Sequence, residues 1–437
     1  MSPRSHRPRS ARMTAAPARP LGSPAVRIVV TVATLLATLV LILLASPRVV
    51  LAQDGDRALN IGINKVGLSI GDSREWTGVR LNFRDTRLRE VTGINATIWG
   101  PRRGGDGEIT GVALALPFTG GRSVRGIQIG GGISATRKLS GMGVAALGLG
   151  AGSDVSGIMI AGLGAGSAGE LDGILVAGAG AGVAGSARGM IAAGLGAGAG
   201  GDLDGMLFGG LGAGAAGNVD GIVVGGLGAG AGGLLRGIGI GGLGIGSGGG
   251  VSGIAIGGLG VGTGGELSGV LVGGLGVGAG SGGRGIVIGG LGAGLGGDFS
   301  GIGVGGVGVG GGGDLTGIFV GGVGVGAGGT LKYLSLAGLG VGAPTIQGVA
   351  IGGFGVGGQR LEGLMLAGAT VRIVEDGTLR GVAISPVNYI QGTTHGLTIG
   401  IVNYTRQLQG VQLGLLNIAR ENPTGRRILP FVNWGSR

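Results

Sequence analysis

The sequence lacks cysteine entirely and is poor in charged and aromatic residues, which make up 12% and 3% of its 437 residues, whereas 119 residues are glycine. A typical soluble protein has about 25% charged residues and about 7% glycine. The absence of cysteine excludes disulfides, thiolate metal sites and a cysteine nucleophile. Because glycine costs about 1 kcal/mol per helical position, its abundance excludes long soluble helices over most of the chain. An ordinary multidomain globular enzyme is therefore not expected.

Proline is scarce as well, at 12 residues, and glycine does not recur at every third position, so the chain is not a collagen. Disorder is not expected either, because disordered segments are poor in the Val, Ile and Leu that this chain contains in quantity. The net charge of +11 comes largely from residues 1–52, which hold seven arginines and no acidic residue. The charge is therefore no argument for nucleic-acid binding, and we predict none.

Residues 1–52 have the pattern of a signal peptide. An arginine-rich stretch precedes an apolar run from Ile28 to Ala45, and the small-residue pattern ending at Ala52 predicts cleavage before Gln53. The alternative is an uncleaved N-terminal anchor, since the apolar run is near the lower length limit for spanning a bilayer. Both interpretations predict export from the cytoplasm.

An internal repeat covers the remainder of the chain and decides the fold. Eleven consecutive units of 16 residues run from Gly157 to Lys332, with glycine at positions 1, 6, 8 and 10 of each unit. Weaker copies of 14 to 18 residues extend upstream to Gly62 and downstream to a truncated unit at Gly425, for about 24 units in total. Regular spacing of this kind indicates a stacked repeat architecture.

The apolar pattern within a unit has a period of two, which predicts strands. A bend at positions 5 and 6 would place positions 2, 4, 7 and 9 inside and position 3 outside. The fold class predicted is all-β, an elongated parallel β-solenoid of about 24 short Gly-rich repeats. At about 4.8 Å per rung it would be about 115 Å long. An apolar position 3 would then form an outer stripe suited to lateral association or membrane contact.

The alternative fold is an outer-membrane β-barrel with one strand per unit. A barrel needs aromatic girdles and a polar lumen face, and the repeat array provides neither. Within the solenoid we divide the chain by composition. Residues 53–125 are polar and aromatic N-terminal repeats and a cap, residues 126–362 are the Gly-rich array, and residues 363–437 are Asn-containing repeats and a C-terminal cap.

The C-terminal units share a pattern of glycine, alternating hydrophobic residues and asparagine. It occurs at Gly381 to Asn388, Gly396 to Asn403 and Gly410 to Asn417, and the segment from Pro430 to Trp434 closes it. The pattern resembles a family of uncharacterised bacterial Gly-rich surface-repeat proteins. The resemblance implies export and surface exposure, and no known chemistry.

Asn388, Asn403 and Asn417 fall at one phase of three consecutive units. Stacked side chains of this kind hydrogen bond along a ladder, so we predict a structural asparagine ladder, with ligand binding as the alternative.

A possible binding surface lies in the N-terminal units. Trp76, Trp99, Arg102 and Arg103 provide aromatic and basic side chains that suit an anionic envelope polymer. Further arginines, Arg80 among them, are interleaved with acidic residues, which favours a solvated cap for this whole group and leaves polymer binding as the alternative.

Acidic residues recur at positions 14 and 16 of the units, in the polar turn. Ca²⁺ held between turns is one hypothesis. Arg and Lys share position 16 with Asp, however, which favours solvated turns with weak salt bridges. We predict no catalytic, cofactor or metal residues, because His395 is the single histidine after the leader and glycine-rich motifs carry no information in this composition.

These observations predict an exported, non-enzymatic structural or cell-surface repeat protein that acts as a rigid scaffold. The alternatives are an adhesin-like module that binds envelope or host polymers, and an outer-membrane barrel. The expected partners are further copies of the chain or cell-envelope components, with membrane contact as an option. The expected location is the cell surface, the periplasm or the outer membrane.

Overall fold

The computed structural model describes residues 49–51, 57–100 and 107–436. Nearly all of these residues lie in β-strands that stack into a parallel β-solenoid of about 21 turns, which confirms the predicted fold class. The N-terminal strands are β1 (Val49–Leu51), β2 (Arg57–Ile63), β3 (Val66–Asp72), β4 (Glu75–Arg84), β5 (Glu90–Trp99) and β6 (Glu108–Ala151). Strand β6 continues through the corners of several coils.

Each central coil has a long strand and a short strand joined by tight turns. The long strands are β7 (Val155–Ala161), β9 (Leu171–Ala177), β11 (Ala187–Ala193), β13 (Leu203–Gly209), β15 (Val219–Gly225), β17 (Leu234–Gly241), β19 (Gly250–Gly257), β21 (Glu266–Gly273), β23 (Gly283–Gly289), β25 (Phe299–Gly305), β27 (Leu315–Gly321), β29 (Thr330–Ala337) and β31 (Thr345–Gly352). The short strands are β8 (Gly164–Ser167), β10 (Gly180–Val183), β12 (Gly196–Ala199), β14 (Gly212–Ala215), β16 (Gly228–Ala231), β18 (Gly244–Ser247), β20 (Gly260–Thr263), β22 (Gly276–Ala279), β24 (Gly292–Leu295), β26 (Gly308–Gly311), β28 (Gly324–Ala327) and β30 (Gly340–Gly342).

The C-terminal coils are built from longer strands, and a 3-10 turn precedes the last one. These elements are β32 (Gly355–Ala367), β33 (Thr370–Ile384), β34 (Val387–Ile399), β35 (Val402–Ala419), the 3-10 helix Thr424–Arg426 and β36 (Ile428–Ser436). Among the described residues, no helix is long and apolar enough to cross a membrane. Apart from residues 49–51, the predicted leader lies outside the described ranges.

Equivalent residues of successive coils are paired in parallel. Gly189 pairs with Gly205 and Gly205 with Gly221, each 16 residues further along the chain. Each coil therefore lies one strand spacing above the previous one, as the solenoid predicts. The antiparallel neighbours that the alternative fold requires are found here only at the two ends of the described stack.

The core is formed by alternate residues of both strands. In the coil that begins at Gly205, positions 3, 9, 11 and 15 point inward, and these are Leu207, Ala213, Ala215 and Val219. The prediction that positions 2, 4 and 7 face inward and position 3 faces outward was wrong. The turn falls at positions 6 and 7, so position 7 stands at a corner, and strand alternation places positions 2 and 4 outside.

Position 3 varies from glycine to phenylalanine. A small residue in one coil lies next to a large residue in the neighbouring coil, so the core volume of the pair is filled. A Cβ on Gly303 would lie within 2.8 Å of the Phe319 ring one coil above, and one on Gly143 would lie within 2.6 Å of the Met159 sulfur. A large side chain thus fills the space that a small one leaves in the next rung.

Glycine at position 1 is required by the backbone itself. Gly253 has φ of 139°, a conformation that side chains rarely adopt, and a Cβ there would overlap the carbonyl oxygen of Gly237 in the coil below. The recurring first glycine therefore lets successive coils stack at strand spacing.

The outermost predicted units are not coils. Strand β2, which contains Gly62, pairs antiparallel with β3, and β36 pairs antiparallel with β35. Gly425 lies in the 3-10 turn. The solenoid therefore has about 21 turns rather than 24 units, and at about 4.8 Å per rung it is about 100 Å long. The antiparallel hairpins cover the open sheet edges at both ends, which would otherwise be free to pair with other chains.

Candidate functional site

The outer surface of the long strands is apolar along most of the solenoid. In every coil from the one beginning at Gly141 to the one beginning at Gly410, positions 2 and 4 face outward and are apolar. Ile254 and Ile256, near the middle, are 39% and 42% exposed although neighbouring coils flank them. We call the surface formed by positions 2 and 4 of these coils the ladder face.

A column of polar residues borders the ladder face. It consists of the residue immediately before the first residue of each coil, and we call it the edge column. Its charged members are Asp172, Arg188, Asp204, Asp220, Arg236, Arg284, Lys332, Glu362 and Arg380. The Arg236 guanidinium lies 3.0 Å from the Asp220 carboxylate of the previous coil. Such exposed pairs contribute little to folding stability, so the column is a solvated border in the single chain.

The short strands present a second surface with almost no side chains. Positions 8 and 10 of each central coil are glycine and face outward, and the position 7 leucine forms a ridge beside them, as Leu259 does beside Gly260 and Gly262. A Cβ on Gly262 would meet nothing within 4 Å. A shallow groove of about 640 Å³ runs along this strip from Gly246 to Gly294. The space around position 10 would therefore admit a larger side chain, so glycine there is not a steric requirement. Its effect is to leave this surface without side chains.

Of the four predicted N-terminal binding residues, the structure describes the two tryptophans, and it places them in different surroundings. Trp76 is 4% exposed, and its indole N–H donates to the Gly67 carbonyl oxygen at 2.9 Å, so it is part of the core. Trp99 is 43% exposed, and the Arg84 guanidinium lies 5.6 Å from its ring centroid. Arg102 and Arg103 lie outside the described residues.

Arg80 is fully buried, and the expectation that it belongs to a solvated cap was wrong. Its guanidinium donates to Asp85, to Asn95 Oδ1 at 2.8 Å and to Asp72 Oδ1 at 3.1 Å. The Ser73 carbonyl oxygen accepts from its Nε at 3.1 Å. The two carboxylates compensate the buried positive charge, so this network is a polar core for the first coils.

The turn residues at position 14 act as hydrogen-bond acceptors between coils. Asp202 Oδ1 accepts from the backbone N–H of Asn218 at 2.7 Å, and Asn218 Oδ1 accepts from Leu234 N–H at 2.8 Å. Asp314 does the same for Thr330 at 2.7 Å. The Thr330 hydrogen bond, assisted by the charge of Lys332, holds the pKa of the Asp314 carboxyl below its ordinary value.

This acceptor role was missed at the level of sequence, although the recurrence of Asp, Asn and Ser at position 14 was a usable signal. Within the described residues, no group of three or more His, Asp or Glu side chains is arranged to hold a metal ion. The turn acids instead satisfy backbone donors of the following coil.

The three C-terminal asparagines form a buried ladder along the solenoid axis. Asn388 Nδ2 donates to Asn403 Oδ1 at 2.7 Å, and Asn403 Nδ2 donates to Asn417 Oδ1 at 2.7 Å. All three side chains are inaccessible to solvent. They are therefore not available to a ligand at the surface.

A groove of about 800 Å³ lies at the C-terminal end of the solenoid. Arg406, in this groove, pairs with Asp376 at 3.0 Å and with Glu421 at 2.9 Å. Arg420 and Arg427 also line it, and no carboxylate of the described residues forms an ion pair with either guanidinium. Glu375 lines the groove as well, so two arginines and one carboxylate there have no ion-pair partner among the described residues. Beside them lies the Tyr404 ring, which stacks on Tyr389 at a centroid distance of 4.9 Å. Arginine and aromatic groups together suit anionic or sugar-like ligands.

No protein-family model matches the chain, and neither a curated protein nor a solved structure matches it.

Proposed function

We propose that this protein is an exported, non-enzymatic structural scaffold of the cell envelope or cell surface, in which the solenoid serves as a rigid spacer. The observation that carries the proposal is the uninterrupted stack of about 21 coils joined by tight turns. Each coil contacts chiefly its two neighbours, and stacks of this kind resist bending because every rung is hydrogen bonded to the next. The tight turns of the central coils leave no projecting loops around which a catalytic site is usually built.

Deletion of whole coils tests the scaffold role. Removing residues 221–252 takes out two units of 16 residues and joins equivalent positions of the repeat. We expect the variant to stay folded and its maximum dimension in small-angle X-ray scattering to fall by about 10 Å from about 100 Å, because each rung contributes about 4.8 Å. Removing residues 221–244 deletes one and a half units and shifts the register, so this matched control is expected to lose cooperative unfolding.

A wild-type chain whose dimensions are those of a compact globule would contradict the scaffold. So would two deletions that behave alike, because the length would then not depend on a continuous stack.

Export is tested separately by expressing the full chain in a bacterial host and fractionating the cells. We expect the mature N-terminus to be Gln53 and the protein to be found outside the cytoplasm, because the arginine-rich stretch and the apolar run before Ala52 have signal-peptide character. An intact N-terminus in a membrane fraction would support the anchor instead. A soluble cytoplasmic chain that retains residues 1–52 would exclude both.

A second candidate function, a binding module for anionic envelope polymers, is favoured by the C-terminal groove. Arg420 and Arg427 are exposed there without carboxylate partners in the described part of the chain. Titration with alginate tests it, and the double variant Arg420→Ala and Arg427→Ala is expected to weaken binding about tenfold at low salt. The control is Arg360→Ala, which removes an exposed arginine that does not line the groove. Equal affinity of both variants would exclude a specific groove site.

A further inference from the structure

We infer that two copies of this chain pack against each other through their ladder faces, with the solenoid axes antiparallel. The pairing rests on the proposed scaffold function and names its partner, a second copy of the chain. The two-fold axis runs parallel to the strands and passes between the rung of Gly269 and the rung of Gly285.

The first argument is the size of the apolar surface. The ladder face covers about eighteen rungs, or about 80 Å at about 4.8 Å per rung, and the three residues from position 2 to position 4 make it about 10 Å wide at about 3.3 Å per residue. These dimensions give on the order of 800 Å² of apolar surface per copy. The largest exposed apolar patch of a typical monomer is about 300–600 Å², and a stable interface buries about 800 Å² on each partner.

The second argument is the shape of the surface. Its outward side chains are mostly Ile, Val, Leu and Met, repeated in two straight ladders without an intervening loop. A second copy presents the same rung spacing, so the ridges of the two sheets can interdigitate over the whole length. Sheets packed in this way are about 10 Å apart.

The third argument is the charge pattern of the edge column, which also selects the orientation. A two-fold axis parallel to the strands places the edge column of one copy opposite the edge column of the other, in reverse order. A two-fold axis along the solenoid would place the edge column opposite the apolar position 4 and leave its charges without partners in the other copy.

In the inferred register, three kinds of opposite-charge pair form and no like charges meet. Asp172 faces Arg380, Arg188 faces Glu362 and Asp220 faces Lys332, and each pair occurs twice because of the symmetry. The other two charged residues of the N-terminal half, Asp204 and Arg236, face the neutral Gln347 and Thr316. A shift of the axis by half a rung toward the C-terminal end would place Arg236 opposite Lys332, so like charges disfavour that register.

Position 1 is glycine in every coil of the ladder face except one, in which it is Tyr333. The Tyr333 side chain is 68% exposed. In the inferred register its rung faces the rung of Gly221, which has no side chain at that position. The glycine column of the second copy therefore leaves room for the tyrosine ring.

Chemical cross-linking of the full chain tests the pairing, because the protein has no cysteine of its own. Ser268 lies one rung from its symmetry mate along the axis, so with sheet backbones about 10 Å apart the two Cα atoms of Ser268→Cys would be about 11 Å apart. This exceeds the reach of a disulfide, and bismaleimidoethane is the appropriate reagent. We expect Ser268→Cys to give a covalent dimer.

The matched control is Ser156→Cys in the same edge column, whose symmetry mate lies about fifteen rungs away. Alone it should not cross-link, but mixed with His395→Cys it should give a heterodimer, because these two rungs face each other. The pairing is overturned if Ser156→Cys alone cross-links as efficiently as Ser268→Cys, or if light scattering finds a monomer. A monomer that floats with phosphatidylcholine vesicles would also overturn it and assign the ladder face to lipid.

Charge reversal provides a test that does not depend on cysteine variants. Glu362→Arg places two arginines opposite each other at two sites per dimer, and we expect it to raise the dimer dissociation constant about tenfold at low salt. Adding Arg188→Glu should restore the wild-type value. Failure of the second substitution to rescue dimerisation would overturn the register.

The failure of this pairing is distinguishable from failure of the scaffold. A monomeric rod about 100 Å long overturns the pairing and leaves the scaffold intact, whereas a chain without an elongated shape overturns the scaffold itself.

Discussion

The carboxylate of Asp314 accepts a hydrogen bond from the backbone N–H of Thr330, one coil further along the chain, at 2.7 Å. The same contact links Asp298 to Asp314 and Asp202 to Asn218, also at 2.7 Å. Turn residues of a solenoid have backbone donors that no strand pairs with, and these side chains satisfy them. The polar turn is thus a structural ladder of its own, parallel to the apolar core.

The Asp314 contact predicts a pH dependence of stability. Hydrogen bonding to Thr330 lowers the pKa of Asp314 below its ordinary value of 3.8. The ionised carboxylate therefore contributes its full stabilisation of the fold at pH values above 3.8. This stabilisation is lost as the pH falls through the lowered pKa. Asn keeps the acceptor oxygen but does not titrate, so the difference in thermal midpoint between the wild type and Asp314→Asn should decrease between pH 7 and pH 2. The side chain is 42% exposed, so the shift should be small. A difference that grows on acidification would contradict this role.

Glycine at different positions of one coil should respond in opposite ways to alanine. Gly253→Ala places a side chain at φ of 139° and against the Gly237 carbonyl oxygen, so we expect a loss of about 1–3 kcal/mol or more. Gly262→Ala adds a methyl group in open space, so its effect should lie within about 0.5 kcal/mol. Urea unfolding of the two variants provides the comparison. Equal destabilisation would mean that position 10 is also needed for stacking.

The repeat period and the parallel stacking were predictable because identical residues recur every 16 positions and only stacked coils place them in register. Which face is buried was not predictable from alternation alone, since positions 2, 3 and 4 are all apolar. Placing positions 2 and 4 inside put position 3 outside, but Gly303 next to Phe319 shows that position 3 lies in the core, where small side chains lie next to large ones of neighbouring coils.

The ends of the solenoid were harder to predict because polar core residues replace apolar ones there. Arg80 and Asn95 occupy position 3 of their coils, so the column that is apolar in the centre becomes a buried charge network. The hairpin between β2 and β3 had a recognisable signal in Asn64 and Lys65, a two-residue turn in which both residues have positive φ. Its glycines match the unit pattern, so the repeat predicts a coil where the structure has a hairpin.

The asparagine ladder should be necessary for the stability of the C-terminal coils. Asn403→Leu removes one of three acceptors of Asn388 Nδ2, which keeps the Ser385 and Ile399 carbonyl oxygens. It also removes the donor to the buried Asn417 Oδ1, which then has no hydrogen-bond partner among the described residues. We expect a loss of about 3 kcal/mol in urea unfolding, since each buried unsatisfied group costs about 1–3 kcal/mol. The control is Asn218→Ala, which removes a single acceptor in a turn and should cost about 1 kcal/mol. If the two variants lose equal stability, the ladder contributes no more than a turn contact.

Gln128 provides a case in which a substitution should stabilise the protein. It occupies position 3 of its coil and is fully buried, yet neither its amide nitrogen nor its amide oxygen has a hydrogen-bond partner among the described residues. The residues at position 3 of the adjacent coils are Ala113 and Gly143, which leave room for a branched apolar side chain. Gln128→Leu should therefore raise the free energy of unfolding by about 1–2 kcal/mol.

The matched control for Gln128 is Asn95→Leu, which changes an amide in the same column. Asn95 Oδ1 accepts from Arg80 at 2.8 Å, and its Nδ2 donates to Asp85 at 3.2 Å, so this substitution removes two contacts of a buried charge network and should destabilise the fold. Urea unfolding of both variants would therefore give shifts of opposite sign. If both variants destabilise the protein, the Gln128 amide makes a favourable interaction, and the polar residues at position 3 stabilise the end coils whether or not they belong to a network.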